Sequence, residues 1–153
     1  MKYKLIDSSF NEKNGVSYVK IKTKLGIFEG IAKRHPKDMD IQSNFFGCKL
    51  AELRAIKKFF LKNRKEIKNK QLFLENLISN LQLLKNYNHN SVETRFIRKQ
   101  YFILQKELQK IDKEILFLDI QIKTLSNNYR ETLDAVYKKI EENRRKKDNG
   151  EKE

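Results

Sequence analysis

The sequence predicts an α+β protein: a small N-terminal antiparallel β-hairpin head on a long antiparallel helical hairpin with coiled-coil character. Three observations carry this. Residues 16–23 alternate between apolar and polar positions and are rich in β-branched side chains, which suits a half-buried strand. From 97 to 140 apolar residues advance by alternating steps of four and three: Ile97, Tyr101, Leu104, Leu108, Ile111, Ile115, Leu118, Ile122, Leu125 and Tyr129. That spacing is the seam of a coiled coil, which requires a partner helix. Between this stretch and an earlier helical one stands Tyr87-Asn88-His89-Asn90-Ser91, a run of turn formers.

Taken in order, residues 1–40 form the head and a connector. Val19, Ile21 and Thr23 fall on one face of the first strong strand, and Val16, Tyr18, Lys20 and Lys22 on the other. A second strand over 27–33 follows Leu25-Gly26, where glycine supplies a backbone conformation that other residues resist. Residues 3–6 are expected to add a third strand across a loop at 7–15, since two strands alone are marginal. The segment 34–40 contains the single proline, Pro36, and ends the sheet. A first long helix is expected over 41–86, capped by Asp40 or Ser43. Its opening turns hold Gly47, Cys48, Ala51 and Ala55 at helical spacing, small enough to let the helix approach the hairpin closely. Farther on, Leu53, Ile56, Phe60, Ile67, Leu74, Ile78 and Leu81 keep near-heptad spacing, interrupted at Asn63 or Arg64 and at Gln71. After the loop at 87–91, Ser91 caps a second helix over 92–143. Beyond Tyr129 the seam shifts by one residue to Leu133, Val136 and Ile140. Residues 144–153 read as a charged, flexible tail.

Composition narrows the partners. The chain of 153 residues is 39% hydrophobic and 35% charged, and its 34 bases against 20 acids give a formal charge of +14. An anionic partner is the natural expectation: nucleic acid, a nucleotide or another phosphorylated ligand. The excess is concentrated in residues 41–91, with ten bases and three acids. There Lys57, Lys58, Lys62, Arg64, Lys65, Lys68 and Lys70 face one acid, Glu66, either as a solvated face or as an anion-binding stripe. No stretch has the roughly 18 consecutive apolar residues of a membrane span, and Met1-Lys2-Tyr3-Lys4 opens no secretory segment. A cytosolic protein is expected. With Cys48 as the single cysteine, an internal disulfide and a multi-cysteine metal site are ruled out.

Catalytic chemistry finds little support. His35 lies near Asp38 and Asp40, but two carboxylates beside one histidine in a proline-containing turn read more simply as caps and turn residues. His89 has no charged neighbour in the adjacent sequence, and Cys48 has no activating partner. Glycine-rich phosphate loops, nucleophile elbows and paired-histidine zinc motifs do not occur, so a non-enzymatic protein without metal or cofactor is expected.

Binding residues beside the seam are more promising. Phe117 stands between Ile115 and Leu118, and Asn127 follows ten residues on, within about 50° of the same face in a heptad frame. Ile120 or Gln121 and Thr124 complete the stripe, which ends in Asn127 and Asn128, with Arg144 and Arg145 beyond. An aromatic ring stacks a base, an amide reads its polar edge and arginine forks onto phosphate, a combination suited to a nucleotide. The plainer reading is that Phe117 covers the other helix. Arg95, Phe96, Arg98 and Tyr101 near the loop form a similar aromatic and basic mixture.

The run from Thr23 through Gly26-Ile-Phe-Glu-Gly-Ile-Ala-Lys-Arg-His-Pro-Lys-Asp-Met-Asp40, followed by Ser43-Asn-Phe-Phe-Gly-Cys-Lys-Leu-Ala-Glu-Leu-Arg-Ala55, resembles small phage and prophage proteins of Gram-positive hosts. In particular it resembles the first family of Thoeris anti-defence proteins. Members of that family carry a small β-hairpin head on long helices and oligomerise through the helices. They act as sponges for the cyclic ADP-ribose signal made by bacterial TIR-domain proteins, and some also hold cyclic trinucleotides. The resemblance implies a homo-oligomeric viral protein acting in the cytoplasm of the bacterial host. It also implies an aromatic and an asparagine on the long helix that contact the signal, for which Phe117 and Asn127 are the matching positions, with Arg144 as a phosphate ligand. Two other readings remain: a nucleic-acid-binding protein using the basic first helix, and a coiled-coil inhibitor of a host protein.

Overall fold

The computed structural model describes residues 2–34, 44–84 and 88–150. Three strands, β1 (Lys4–Asn11), β2 (Val16–Thr23) and β3 (Gly26–Lys33), precede two helices, α1 (Asn44–Gln82) and α2 (Val92–Gly150). The chain is thus α+β, as expected, with an antiparallel sheet in the order β1-β2-β3. His35, Asp38, Asp40 and Ser43 lie outside the described residues.

The chain divides into two compact units. One combines Met1–Ile56 with Asp119–Glu153, and the other is Lys57–Leu118.

In the first unit the alternation of β2 is realised in full. Ser17, Val19 and Ile21 are buried on the inward face, while Val16, Tyr18, Lys20 and Lys22 face outward. The turn after β2 pairs Thr23 with Gly26. Gly26 has φ 117°, a region that side chains disfavour, and the Leu25 amide donates to the Thr23 hydroxyl at 3.1 Å. β1 is longer than the alternation suggests, continuing through Asn11 where a loop was expected from residue 7. Two features hide it: a register shift between Leu5 and Asp7, and a strand that is exposed almost throughout. An edge strand with little buried surface leaves little periodicity to read.

The opening turns of α1 pack on this sheet. Val19, Ile21, Ala32, Ala51 and Ala55 form one buried cluster, with Phe28, Cys48, Leu50 and Ile56 against it. The approach is close enough to depend on glycine at two positions. A Cβ on Gly30 would collide with the Ala51 carbonyl oxygen, and one on Gly47 with the Ser17 hydroxyl. Burying Val19 and Ile21 contributes about 2 kcal/mol each. The Tyr3 hydroxyl donates to Glu52 at 2.5 Å, and the Arg54 guanidinium donates to the Ile31 carbonyl at 2.7 Å.

In the second unit the two helices are antiparallel and their seams meet. Phe59, Phe60, Ile67, Ile97, Ile111 and Leu118 are buried, and Tyr101, Leu104, Leu108 and Ile115 are half-buried between exposed neighbours. Gln71 is buried too, a polar residue in the seam of the kind that fixes register at some cost in stability. Two cross-helix contacts define the pairing: Arg64 Nε to Asp112 Oδ1 at 2.6 Å, and the Tyr101 hydroxyl donating to Glu75 at 2.8 Å. Arg64 and Asp112 stand 24 residues before and after Asn88, while Glu75 and Tyr101 stand 13 before and after it. The hairpin therefore keeps one register between these two contacts.

Ser91 caps α2 as expected: its hydroxyl accepts from the Thr94 amide at 3.2 Å, and its carbonyl accepts from the Arg95 amide at 3.0 Å. Asn88 shapes the approach, accepting from the Asn90 amide at 2.8 Å. The helix continues through Gly150, past the end expected at residue 143. Glu141, Glu142, Arg144 and Arg145 bury nothing yet are strong helix formers, so their charge sets exposure rather than conformation. Among the described residues no helix is long and apolar enough to cross a membrane.

Candidate functional site

The seven residues expected to bind a ligand all lie on α2, and all are exposed. Phe117, Arg95 and Arg98 belong to the second unit, whereas Thr124, Asn127, Asn128 and Arg144 belong to the first.

Phe117 lies beside the seam rather than in it. It is 56% exposed, whereas its neighbour Leu118 is 5% exposed and the seam position Ile115 is half-buried. The helix pairing thus uses Leu118 and leaves most of the phenylalanine ring in solvent.

In the first unit, Asn128 lines a concavity of about 670 Å³ with Glu131, Thr132, Ala135, Val136 and Lys139. These positions follow helical spacing, so one face of α2 presents the whole set. Ala135 and Val136 give an apolar floor, Asn128 an amide and Lys139 a cation. The Thr132 hydroxyl donates to the Asn128 carbonyl at 2.8 Å, and the Ser126 hydroxyl to the Ile122 carbonyl at 2.8 Å. Thr132 and Lys139 were not singled out in the sequence. Both follow Asn128 at spacings of four and eleven, a helical face that the heptad frame ending at Tyr129 does not mark.

Nearer the loop, Arg98 Nη2 lies 2.8 Å from His89 Nδ1, so the histidine has a charged neighbour that sequence proximity does not reveal. Phe96 is exposed, and Arg95 beside it is exposed as well. Lys106 Nζ sits 4.6 Å from the centroid of the Phe102 ring, a second aromatic and cationic pair in this unit. Tyr101, by contrast, is committed to Glu75, and that hydrogen bond raises its hydroxyl above the ordinary tyrosine value.

The basic stripe of α1 is exposed along most of its length. Arg64 pairs with Asp112, and Lys57 is half-buried, while Lys58, Lys62, Lys65, Lys68 and Lys70 are exposed. Cys48 is a free, half-buried thiol against the head core. Among the described residues no group of three or more histidines, cysteines or carboxylates is placed to hold a metal ion.

No protein-family model matches the chain, and neither a curated protein nor a solved structure is significantly similar to it.

Proposed function

We propose that this protein is a phage anti-defence sponge. It captures a cyclic nucleotide immune signal, a cyclic ADP-ribose isomer or a cyclic oligonucleotide, in the cytoplasm of the bacterial host and releases it unchanged. The observation that carries the reading is the exposed Phe117 ring, an apolar surface that the helix pairing does not consume and that can stack on a base. Support also comes from the formal charge of +14, which favours an anionic ligand. An exposed aromatic ring on a basic chain binds an anionic, planar ligand without reacting with it. Self-association through the helices belongs to the same proposal, because a coiled-coil seam with further exposed apolar residues suits contact with a second copy.

The test is thermal shift of the full chain with cyclic ADP-ribose isomers and cyclic oligonucleotides, followed by heat release and chromatography of the ligand. A ligand at 100 times its Kd raises stability by about 2.7 kcal/mol, and it should return intact. Phe117→Ala should weaken binding by about tenfold. Failure of every such ligand to raise the melting temperature would reject the proposal.

The exposed lysines of α1 favour a second reading, binding of nucleic acid along Lys58, Lys62 and Lys65, which share one helical face. In that case affinity falls steeply with salt and is indifferent to base sequence.

A further inference from the structure

The turn end of the head holds a concavity of about 740 Å³ whose lining includes Phe10, Asn11, Lys13, Asn14 and Tyr18. We propose that it binds a phosphorylated aromatic heterocycle, a nucleotide either free or at the end of a single strand, as a site separate from the one argued for α2.

Tyr18 is the stacking surface. It faces outward from the middle strand, paired with Ser9 on one side and Ile31 on the other. Lys20 Nζ lies 5.7 Å from its ring centroid, and Lys20 in turn bonds Glu29 at 3.0 Å. Donors surround it. The Asn11 side-chain oxygen accepts from the Lys13 amide at 3.0 Å and that of Asn14 from the Val16 amide at 3.1 Å, so each side chain keeps its NH₂ group for a ligand.

Cations outnumber acids at this end of the sheet. Lys13 lines the concavity and Lys33, paired in register with Val16, stands on the same outward face, with Glu12 the acid in the lining, while Lys20 and Glu29 beside Tyr18 pair with each other. The Arg34 amide donates to the Gly15 carbonyl at 2.8 Å, tying the arginine backbone to the turn. Gly15 is required for that arrangement, because it has φ 62° and its Cβ would stand 2.9 Å from Arg34 Cβ. A flat ring to stack on, amide donors and the ammonium groups of Lys13 and Lys33 together select a base carrying phosphate.

The test is amide chemical-shift titration of the full chain with adenosine monophosphate, adenosine and a short oligodeoxyadenylate. Shifts confined to residues 9–18 and 31–34, with the phosphorylated ligands at least threefold tighter than adenosine, are expected. Tyr18→Ala should weaken binding at least fivefold and Tyr18→Phe should retain it, which separates loss of the ring from loss of the fold. A mononucleotide binding more tightly than the strand identifies a free ligand, and the reverse identifies a strand end. Phe117→Ala should leave these shifts unchanged, so failure of the α2 proposal is distinguishable from failure of this one. No shift in those segments with any ligand, or equal affinity in Tyr18→Ala, would overturn it.

Discussion

Gly30 shows how much of the head depends on a missing atom. Because a Cβ there would run into the Ala51 carbonyl oxygen, which belongs to helix backbone and cannot rotate away, Gly30→Ala must push α1 off the sheet. The expected loss is about 3 kcal/mol, read from urea denaturation. Gly26→Ala meets no atom within 4 Å and suffers only from its positive φ, so about 1 kcal/mol is expected in the same measurement. Tyr3 offers a pH test. Its hydrogen bond to Glu52, aided by burial and by the nearby negative charge, pushes the hydroxyl from 10.0 up to about 12. The folded state therefore holds this proton more tightly than the unfolded chain. Its contribution is fully present below pH 10 and disappears as pH rises towards 12. Denaturation midpoints across that range should fall less steeply in Tyr3→Phe than in the unaltered protein. Glu52 has the opposite sense. Burial pushes its carboxyl up, but hydrogen bonds from Lys49 and Tyr3 together outweigh that and hold it below the ordinary value, so its contribution is lost on acidification.

Among the elements, α2 was the most legible and β1 the least. The four-and-three spacing from Ile97 to Tyr129 named the inward face of α2 correctly, because a seam that buries side chains every turn must repeat them every turn. The small residues at Gly47, Ala51 and Ala55 likewise announced a close helix-to-sheet contact, which Gly30 completes from the other side. β1 escaped because an edge strand buries so little, and the Arg98 pairing with His89 because it closes a turn across nine residues. Candidate binding residues were legible as types but not as a set: the exposure of Phe117 and the company of Asn128 are properties of the folded helix. The Ser91 cap was readable from a serine beside turn-forming asparagines, and Ser91→Ala should cost about 1 kcal/mol, visible as faster amide exchange in the first turn of α2.

At the scale of the whole molecule, the first unit draws on both ends of the chain. Phe46 at the start of α1 meets Tyr129, with ring centroids 5.2 Å apart, and Leu133 is buried in the same unit. Ending the chain after Leu118 should therefore reduce amide-exchange protection in α1 around Phe46 and Leu50, even though no residue of the head is altered. Exposed apolar surface makes a further prediction. In the second unit eleven large apolar side chains among the described residues, from Leu61 to Phe117, are 41–84% exposed. A typical monomer shows a largest apolar patch of roughly 300–600 Å². Sedimentation of the full chain at micromolar concentration should show self-association, and Phe73→Ser together with Phe102→Ser should weaken it. A monomer at all concentrations would remove that part of the proposal.

The symmetric placement of Arg64 with Asp112 and Glu75 with Tyr101 about Asn88 constrains how this gene can lengthen or shorten. Seven residues cut from one limb slide every outer pair by about 10 Å, whereas seven cut opposite each other from both limbs leave the surviving partners facing one another. Indels in the two helices of such a chain should arrive as matched couples, one on each side of the bend.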